Sequence, residues 1–352
     1  MTSVQAINII VPFRNRSPEI LEQLWLSLCE KTSVPFEFVV SDYGSHPEIA
    51  EKLNELASRR GFRIVRSETQ GLPFSKAKAV NVAVKETKLP WILHVDADMV
   101  FFQTQLEALV GYLDESQVLL AESYWPQSSR QKPKNGKVFR SPGVFLLLHR
   151  NWFERLDGFC ESFEFWGAED SEWLDRLILA GCRPRWLTTQ EITLYHSWHT
   201  RENSRIYRPY TAETRALEIQ VENIWKGYRN NRWGTLVTSK DRPVLSRMGE
   251  AIEIDLFQKK ETEWVGQLKS LLNQGRCVKL NLGPRKIKRI FSAFQRIAYA
   301  FDGLFNLFGL RLDYATNDNL EKFLSLRKMV GPELLDMYLE ADYSSIFVVQ
   351  RK

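Results

Sequence analysis

The first 95 residues alternate short apolar runs with amphipathic segments, and this alternation restricts the fold more than any other feature of the sequence. The apolar runs predict buried strands, and the segments between them carry apolar residues at helical spacing, which predicts helices. The predicted strands are 6–11, 36–40, 63–65 and 91–95, and the predicted helices are 18–30, 48–60 and 76–85. Strands and helices in this order form an α/β fold with a mostly parallel central sheet, which binds ligands at the carboxyl ends of its strands.

The rest of the chain departs from this alternation. Between residues 105 and 180, the residue pattern predicts a helix at 105–113, a polar mobile loop at 122–140, a strand at 143–148 and a helix at 169–180. Further along, it predicts half-buried strands at 252–256 and 278–282, a helix at 261–273, and a long amphipathic helix at 284–308. The change of pattern near residue 235 predicts a domain boundary. We therefore predict one α/β domain over residues 1–235, in two halves (1–115 and 116–235), and a smaller α+β domain over residues 236–352.

Composition and charge narrow the class of protein. Hydrophobic residues make up 44% of the chain and charged residues 26%, which excludes a disordered or collagen-like chain. Residues 1–234 hold 29 basic and 29 acidic side chains, so the whole net charge of +5 lies in residues 235–352. The cysteines form no C-x-x-C pair, so we expect reduced, buried thiols. Without a spanning segment or a signal-peptide pattern, the expected location is cytoplasmic.

The basic excess concentrates at the start of the amphipathic helix 284–308. From Lys279 to Arg296 there are six basic residues and no acidic one, and the helix has an aromatic-rich apolar face. Such a helix suits an anionic membrane surface, which makes a peripheral position on the inner face of the plasma membrane an expectation. A core helix of the small domain also explains the pattern. Because no nucleic-acid motif accompanies the basic residues, we predict no nucleic-acid partner.

The densest chemical signal is Asp96-Ala97-Asp98, directly after the predicted strand 91–95. Two carboxylates two residues apart at a strand end face the ligand crevice, and hard oxygen ligands of this kind bind Mg²⁺ or Mn²⁺ with a phosphorylated substrate. A helix N-cap or a solvated turn also explains the pattern. A phosphatase nucleophile motif is a further alternative, although the acids of such motifs follow the first strand rather than the fourth.

Two more polar clusters follow along the chain. Residues 165–172, FWGAEDSE, place an aromatic side chain and a glycine before acids that open a helix, which is an arrangement suited to a sugar ring. An acidic first turn that complements the helix dipole is the alternative explanation. His196 and His199 are three residues apart, and their imidazoles could complete a metal site. Alternatively, the two side chains only pack in the protein interior.

In this order, the clusters resemble nucleotide-sugar glycosyltransferases of the GT-A fold over residues 4–234. The segments INIIVPFRNR and VVSDYGSHPE are similar to the opening strands of glycosyltransferase family 2. Three further segments resemble the β-1,4-galactosyltransferases and the polypeptide N-acetylgalactosaminyltransferases. They are PFSKAKAVNVAV, HVDADMVFF and GVFLLLHRNWFERLDGFCESFEFWGAEDSEWLDRLILAG. The resemblance implies nucleotide binding by residues 1–115, and acceptor binding and catalysis by residues 116–235.

The resemblance also implies the residues that bind a UDP-sugar. These are Pro12, Phe13, Arg14, Asp42, Lys76, Asn81 and Asp96. The first three would line the uracil and ribose pocket, and Asp42 would hold the base. Lys76 would meet a phosphate as a point charge, because a lysine lacks the bidentate geometry of the arginine that galactosyltransferases have there.

The metal and catalytic residues follow from the same resemblance. Mn²⁺ or Mg²⁺ would be held directly by Asp98, with His199 or His196 as a further ligand. Asp96 would touch the ribose, or the metal through water. The donor sugar and the acceptor would be gripped by Trp166, Gly167 and Glu169. Asp170 would be the catalytic base that takes the proton of the acceptor hydroxyl.

Together these features predict an inverting, metal-dependent glycosyltransferase. It would move a hexose or N-acetylhexosamine from a UDP-sugar to a hydroxyl of a glycan or of a lipid-linked acceptor. The acids at positions 96, 98, 169 and 170 favour this prediction over a non-catalytic relative that only binds nucleotide sugars or carbohydrates. The donor sugar stays open among galactose, N-acetylgalactosamine and N-acetylglucosamine.

Overall fold

The computed structural model describes most of the first two-thirds of the chain and parts of the last third. The described residues are 6–30, 32–102, 106–126, 136–164, 167–197, 218–223, 226–255, 261–282 (side chains from 267), 335–340 and 345–351. Predictions for Trp166, His199 and the amphipathic helix 284–308 therefore lie outside the described residues.

The first part of the chain forms a ten-stranded sheet among the described residues. Its strands are β1 (Ile7–Phe13), β2 (Phe36–Asp42), β3 (Arg63–Arg66), β4 (Trp91–Val95), β5 (Met99–Phe101), β6 (Gln117–Trp125), β7 (Lys137–Arg140), β8 (Phe145–His149), β9 (Arg183–Leu187) and β10 (Leu194–His196). The accompanying helices are α1 (Pro18–Leu28), α2 (Pro47–Arg60), α3 (Lys76–Lys85), α4 (Leu106–Val110), α5 (Asn151–Leu156) and α6 (Glu169–Leu179). The predicted α/β fold is confirmed.

The topology of the sheet creates a ligand crevice. The strand order is β3-β2-β1-β4-β8-β6-β10-β5, with β7 and β9 paired to β6. Strands β3, β2, β1 and β4 are parallel, and β8 then runs antiparallel to β4, so the sheet is mixed in its second half. Because β1 lies between β2 and β4, the strand order reverses there, and α/β proteins bind ligands at the carboxyl ends of the strands beside such a switch point.

Helices cover both faces of this sheet. Neighbouring residues of a strand point to opposite faces, so Ile9 and Ile10 of β1 belong to two different apolar clusters. Leu24 of α1 packs in the cluster with Ile9. Val80 of α3 and Trp173 of α6 pack in the cluster with Ile10. Helix α3 thus lies on one face of the sheet, and its N-terminus reaches the carboxyl ends of the strands.

The predicted mobile loop at 122–140 is wrong at both of its ends. Strand β6 extends to Trp125 and pairs antiparallel with β7, with Glu122 opposite Arg140. The carboxylate and the guanidinium of this pair are 3.0 Å apart. The polar residues between the two strands misled the prediction, because β7 has only four residues, two charged and two apolar, and all of them are exposed. Residues 127–135, between the two strands, lie outside the described part.

The chain divides into two compact units, and among the described residues the division falls between Val237 and Thr238. The second unit contains β11 (Ile252–Asp255), β12 (Val278–Asn281), β13 (Leu335–Leu339), β14 (Ser345–Gln350), α7 (Pro243–Arg247) and α8 (Glu261–Asn273). Strands β11 and β12 are parallel, and β14 is antiparallel to β12 and β13. These are elements of an α+β unit, as predicted. Within the described ranges, no helix is long and apolar enough to cross a membrane.

A buried ion pair stabilises the second unit. Arg242 Nε contacts Asp336 Oδ1 at 2.8 Å, and both side chains are fully buried. Asp336 Oδ2 also accepts a hydrogen bond from the Val244 amide at 3.0 Å, and Arg242 donates to the Met337 carbonyl at 3.0 Å. The pair therefore connects the residues beside α7 with β13.

Breaking this pair is expected to destabilise the second unit strongly. Asp336→Asn removes the negative charge that faces the buried Arg242 guanidinium, and the loss of one partner of a buried pair costs about 3–5 kcal/mol in comparable sites. Faster amide hydrogen exchange in β13 and β14 would report the loss. Glu253→Gln is the matched control, because the Glu253–Lys279 pair of the same unit is partly exposed and should contribute little. Equal exchange in the two variants would contradict this prediction.

Candidate active site

Lys76 is the centre of the candidate active site. It is the first residue of α3, whose N-terminus is capped by Ser75. Lys76 Nζ donates a hydrogen bond to the Gly143 carbonyl at 2.7 Å, and it contacts Asp96 Oδ1 at 2.9 Å and Asp170 Oδ2 at 3.1 Å. This one side chain therefore joins the end of β4, the approach to β8 and the start of α6.

The surrounding charges shift the pKa values of these groups. Burial raises the pKa of Asp96 to about 6 and the pKa of Asp170 to about 7, and the charge of Lys76 opposes both shifts. Asp98 adds to the rise at Asp96, and Glu169 adds to the rise at Asp170. Burial disfavours the charged form of Lys76, but the nearby carboxylates outweigh it and raise its pKa. Lys76 is therefore a permanent cation, whereas Asp170 can exchange a proton near neutral pH.

Gly143 allows the close approach of Lys76 and Asp170. A Cβ atom at this position would lie 2.1 Å from Asp170 Oδ2 and 3.1 Å from Lys76 Nζ. Both atoms would then have to move, because these distances are below van der Waals contact. The glycine is needed here for space and not for its backbone conformation, since its φ is not positive.

Gly143→Ala is therefore expected to impair the site while the fold persists. We expect catalytic turnover to fall about 100-fold, because a displacement of about 1 Å costs that much in a positioned active site. Steady-state kinetics and the circular dichroism spectrum of the variant test this expectation. Gly111→Ala is the control, since its nearest neighbouring atom would be at an ordinary 3.4 Å. Undiminished turnover of Gly143→Ala would contradict the assigned geometry.

Asp98 lies beside His196 at another edge of the site. Asp98 Oδ2 is 3.7 Å from His196 Nε2 and 3.4 Å from a guanidinium nitrogen of Arg16. His196 is on β10, opposite Met99 of β5, and its ring stacks on Trp125 with the ring centroids 4.0 Å apart. A carboxylate oxygen and an imidazole nitrogen at this separation are close enough to bind one divalent ion together.

The other predicted metal ligands differ in their placement. Asp96, predicted to touch the ribose or to reach the metal through water, is ion-paired with Lys76. His199 lies outside the described residues. Within the described part of the chain, no group of three or more His, Cys, Asp or Glu side chains is clustered as a metal site would be. Asp98 and His196 are therefore the two predicted ligands that the structure brings together.

A turn with positive φ angles places the acids of α6. Gly167 has φ 114° and Ala168 has φ 72°, which is the left-handed region and costs a non-glycine residue about 1–2 kcal/mol. The Gly167 amide donates a hydrogen bond to Glu169 Oε2 at 3.0 Å. Glu169 and Asp170 thereby lie in the first turn of α6, where the helix dipole stabilises a carboxylate.

A second buried pair fixes the orientation of α6. Arg176 Nε contacts Glu172 Oε1 at 2.6 Å, one turn further along the helix. The same guanidinium donates hydrogen bonds to the carbonyl oxygens of Leu156 and Gly158, each at 2.8 Å. Because these bonds tie α6 to the end of α5, they hold Asp170 in place relative to the sheet.

The predicted nucleoside residues lie at the ends of β1 and β2. Pro12 and Phe13 are buried, and Phe13 is the register partner of Asp42. Asp42 is fully buried, with Oδ1 accepting the Ser45 amide at 2.9 Å and Oδ2 paired with Arg66. The predicted base-holding residue thus has two protein partners, and its oxygens keep lone pairs for a further donor.

Arg14 and Asn81 are the remaining predicted UDP-sugar contacts. Arg14 donates a hydrogen bond to the Leu72 carbonyl at 2.8 Å, close to the end of β1. The amide of Asn81 is bonded to Phe159 and Glu161 at 2.8–2.9 Å. These bonds join α3 to the segment before α6, and they do not bring Asn81 together with Lys76. The contact of Asn81 with the UDP-sugar stays a prediction from the sequence.

Three residues of the site escaped the sequence analysis. Arg16 reaches Asp98, Gly143 leaves room for Asp170, and His94 is fully buried 3.8 Å from Asp96. Arg16 belongs to the quoted R-N-R segment, and His94 stands two residues before Asp96, so a signal existed for both. The role of Gly143 depends on a contact with a residue far along the chain, for which the sequence carries no signal.

Two family models cover this region. Residues 8–164 match glycosyl transferase family 2, and residues 131–200 match the N-terminal domain of galactosyltransferase. Residues 8–200 form a glycosyltransferase domain with the GT-A fold. The predicted family resemblance is confirmed, and the comparisons favour it over the phosphatase alternative.

Individual relatives of the GT-A domain are distant. The chondroitin synthase of Escherichia coli is 24% identical in an alignment of 229 residues that covers 51% of this chain and 33% of that protein. The chain spans a third or less of the length of each matched chondroitin or hyaluronan synthase.

Two solved structures share the fold. GalNAc-T7 with UDP, GalNAc and Mn²⁺ superposes with a TM-score of 0.50 at 16% identity, over 62% of this chain and 48% of the other. S. aureus TarS 1-349 in complex with UDP-GlcNAc also gives 0.50, at 20% identity, over 64% of this chain and 68% of the other. At such low identity, these likenesses show the fold alone.

Proposed function

We propose that this protein is an inverting glycosyltransferase that moves a hexose or N-acetylhexosamine from a UDP-sugar to a hydroxyl of a glycan or lipid-linked acceptor. The observation that carries the proposal is the buried Lys76, held between Asp96 and Asp170 at the carboxyl ends of the strands. A cation at this position suits a diphosphate, and a carboxylate with a pKa of about 7 beside it suits a base. The matched relatives are synthases of sugar polymers, which supports the same class of reaction.

Asp170 is the proposed general base. The acceptor hydroxyl would attack the anomeric carbon from the face opposite the leaving UDP, and Asp170 would take the hydroxyl proton as the new C–O bond forms and the bond to UDP breaks. The helix dipole of α6 and the charge of Lys76 favour the ionised carboxylate, whereas burial and Glu169 oppose it. The balance keeps the pKa close to neutral pH, where a general base is most effective.

The donor would lie across the switch point between β1 and β4. Phe13 and Asp42 would contact the uridine, because their strand ends form one side of the crevice. Lys76 would turn from Asp96 and Asp170 to the diphosphate, and its fixed charge would stabilise the leaving group. Glu169 and Gly167 lie at the start of α6, beside Asp170, and would contact the donor sugar and the acceptor.

Metal dependence is part of the proposal. Asp98 and His196 are a carboxylate and an imidazole with facing atoms 3.7 Å apart, and this pair fits a divalent ion such as Mn²⁺. A bound divalent ion would neutralise negative charge on the diphosphate. Arg16, at 3.4 Å from Asp98, would add positive charge at the same edge. The membrane surface predicted for residues 284–308 has no support from the described residues and stays a sequence-based proposal.

Release of UDP is the experiment that tests the proposed function. The full chain is incubated with Mn²⁺, a panel of UDP-sugars and a glycan or lipid extract as acceptor, and free UDP is measured. We expect one donor to give UDP release that depends on the acceptor and is lost in Asp98→Ala. The absence of UDP release with every donor, or full release by the Asp98→Ala variant, would contradict the proposal.

A further inference from the structure

His94 is a buried side chain beneath the candidate active site that the proposed reaction does not use. It lies on β4, and Asp96 follows directly after the last residue of that strand, with its Oδ1 atom 3.8 Å from His94 Nε2. The imidazole is fully buried and packs edge-on against Phe159, with the ring centroids 6.0 Å apart. Burial and the nearby charge of Lys76 hold the pKa of His94 well below its ordinary value, so the ring is neutral.

The hydrogen-bonding state of His94 is unusual for a core side chain. Among the described residues, neither ring nitrogen has a hydrogen-bond partner. An unpaired polar atom in the interior destabilises a folded protein, because it gives up its bonds to water without replacement. A phenyl ring would fill similar space without this loss. Packing alone therefore does not explain a histidine at this position.

The acid closest to His94 is already engaged with Lys76. His94 Nε2 is 3.8 Å from Asp96 Oδ1, which is just beyond hydrogen-bond distance. The same carboxylate oxygen contacts Lys76 Nζ at 2.9 Å. When Lys76 turns to an anionic ligand, Asp96 Oδ1 loses this donor. A shift of about 1 Å would then bring the oxygen within hydrogen-bond distance of His94.

We propose that His94 is a positioning residue that replaces Lys76 as the hydrogen-bond donor to Asp96 Oδ1 when the nucleotide binds. The Nε2–H group of the neutral ring would hold the Asp96 carboxylate against the nucleotide while Lys76 contacts the diphosphate. This inference rests on the proposed function, because it requires a diphosphate at Lys76. Since the bond forms only in the complex, it strengthens nucleotide binding and not the folding of the free protein.

The test compares UDP affinity with thermal stability in the full chain. Isothermal titration with UDP in the presence of Mn²⁺ gives the dissociation constant, and thermal unfolding without ligand gives stability. For His94→Phe we expect about 10-fold weaker UDP binding, as for the loss of one hydrogen bond to a charged group, with an unfolding temperature that is unchanged or higher. His94→Gln keeps an N–H donor and should bind UDP within about 3-fold of the unchanged protein.

Two further variants separate positioning from packing. Phe159→Leu removes the ring that packs against His94, and we expect it to lower the unfolding temperature but not the UDP affinity. His94→Leu also lacks a donor and should bind UDP as weakly as His94→Phe. If one of these two variants fails to fold, the other still gives the UDP affinity of a donor-free protein. If a folded donor-free variant bound UDP as tightly as the unchanged protein, the inference about His94 would be overturned and the proposed function would stand. If the unchanged protein bound no UDP, the proposed function would fall as well.

Discussion

Asp170→Asn is expected to lower the kcat of sugar transfer about 10³-fold while UDP affinity stays within a few-fold of the unchanged protein. The asparagine keeps the shape of the side chain but cannot take the acceptor proton, and a positioned general base contributes about 10²–10⁴-fold to a rate. Lys76 keeps Asp96 as a partner in the variant, so the nucleotide site should persist. Initial rates of UDP release and calorimetric titration with UDP measure the two quantities.

Asp175→Asn is the matched control for this variant. Asp175 lies on the same helix, one turn beyond the acids, and its side chain is exposed. The substitution removes the same charge from α6 without touching Lys76 or the crevice, so we expect a kcat close to that of the unchanged protein. A comparable loss in both variants would assign the effect to the charge of the helix and would contradict the role of Asp170 as the base.

Lys76→Met is expected to lower kcat/KM at least 100-fold and to change its pH dependence. The substitution removes the proposed diphosphate contact and leaves two half-buried carboxylates without their shared counter-charge. In the unchanged protein, kcat/KM should rise with pH through about 7, because Asp170 must be ionised to act as a base. Lys76 lowers the pKa of Asp170, so the rise should move to higher pH in the variant.

Lys78→Met provides the comparison for this experiment. Lys78 lies on the same helix two residues further along, and its ammonium is partly exposed and 4.0 Å from Glu164. We expect little change in kcat/KM and an unchanged pH profile. An unshifted profile in Lys76→Met would mean that the lysine does not control the ionisation of Asp170, against the contacts that the structure shows.

Much of the fold could be predicted because its signals are local. The apolar spacing of α3 and the compact apolar run of β4 gave their bounds as 76–85 and 91–95, and the structure has the same bounds. The strands at the other side of the sheet could not be predicted in the same way. Strand β7 has two charged and two apolar side chains, all of them exposed, and only its pairing with β6 makes it a strand. Pairing between distant segments leaves little trace in local composition.

The candidate site shows the same division between local and long-range signals. Asp96, Asp98 and Asp170 could be chosen from the sequence, because acids stand directly at the end of a strand or the start of a helix. Lys76 contacts both Asp96 and Asp170, and Asp170 is 94 residues away in the sequence. Local sequence patterns do not predict such a contact, so only the structure reveals it. The bonds from the Asn81 amide to Phe159 and Glu161 also join distant segments, and local spacing did not predict them.

A crystal structure of the full chain with UDP and Mn²⁺ would show where the nucleotide binds. We expect the diphosphate within hydrogen-bond distance of Lys76 Nζ, the uridine beside Phe13 and Asp42, and the metal ion on Asp98. We also expect open space between the diphosphate and Asp170 for the donor sugar. A nucleotide bound away from the carboxyl ends of β1 and β4, with Lys76 still paired to Asp96 and Asp170, would contradict the proposed site.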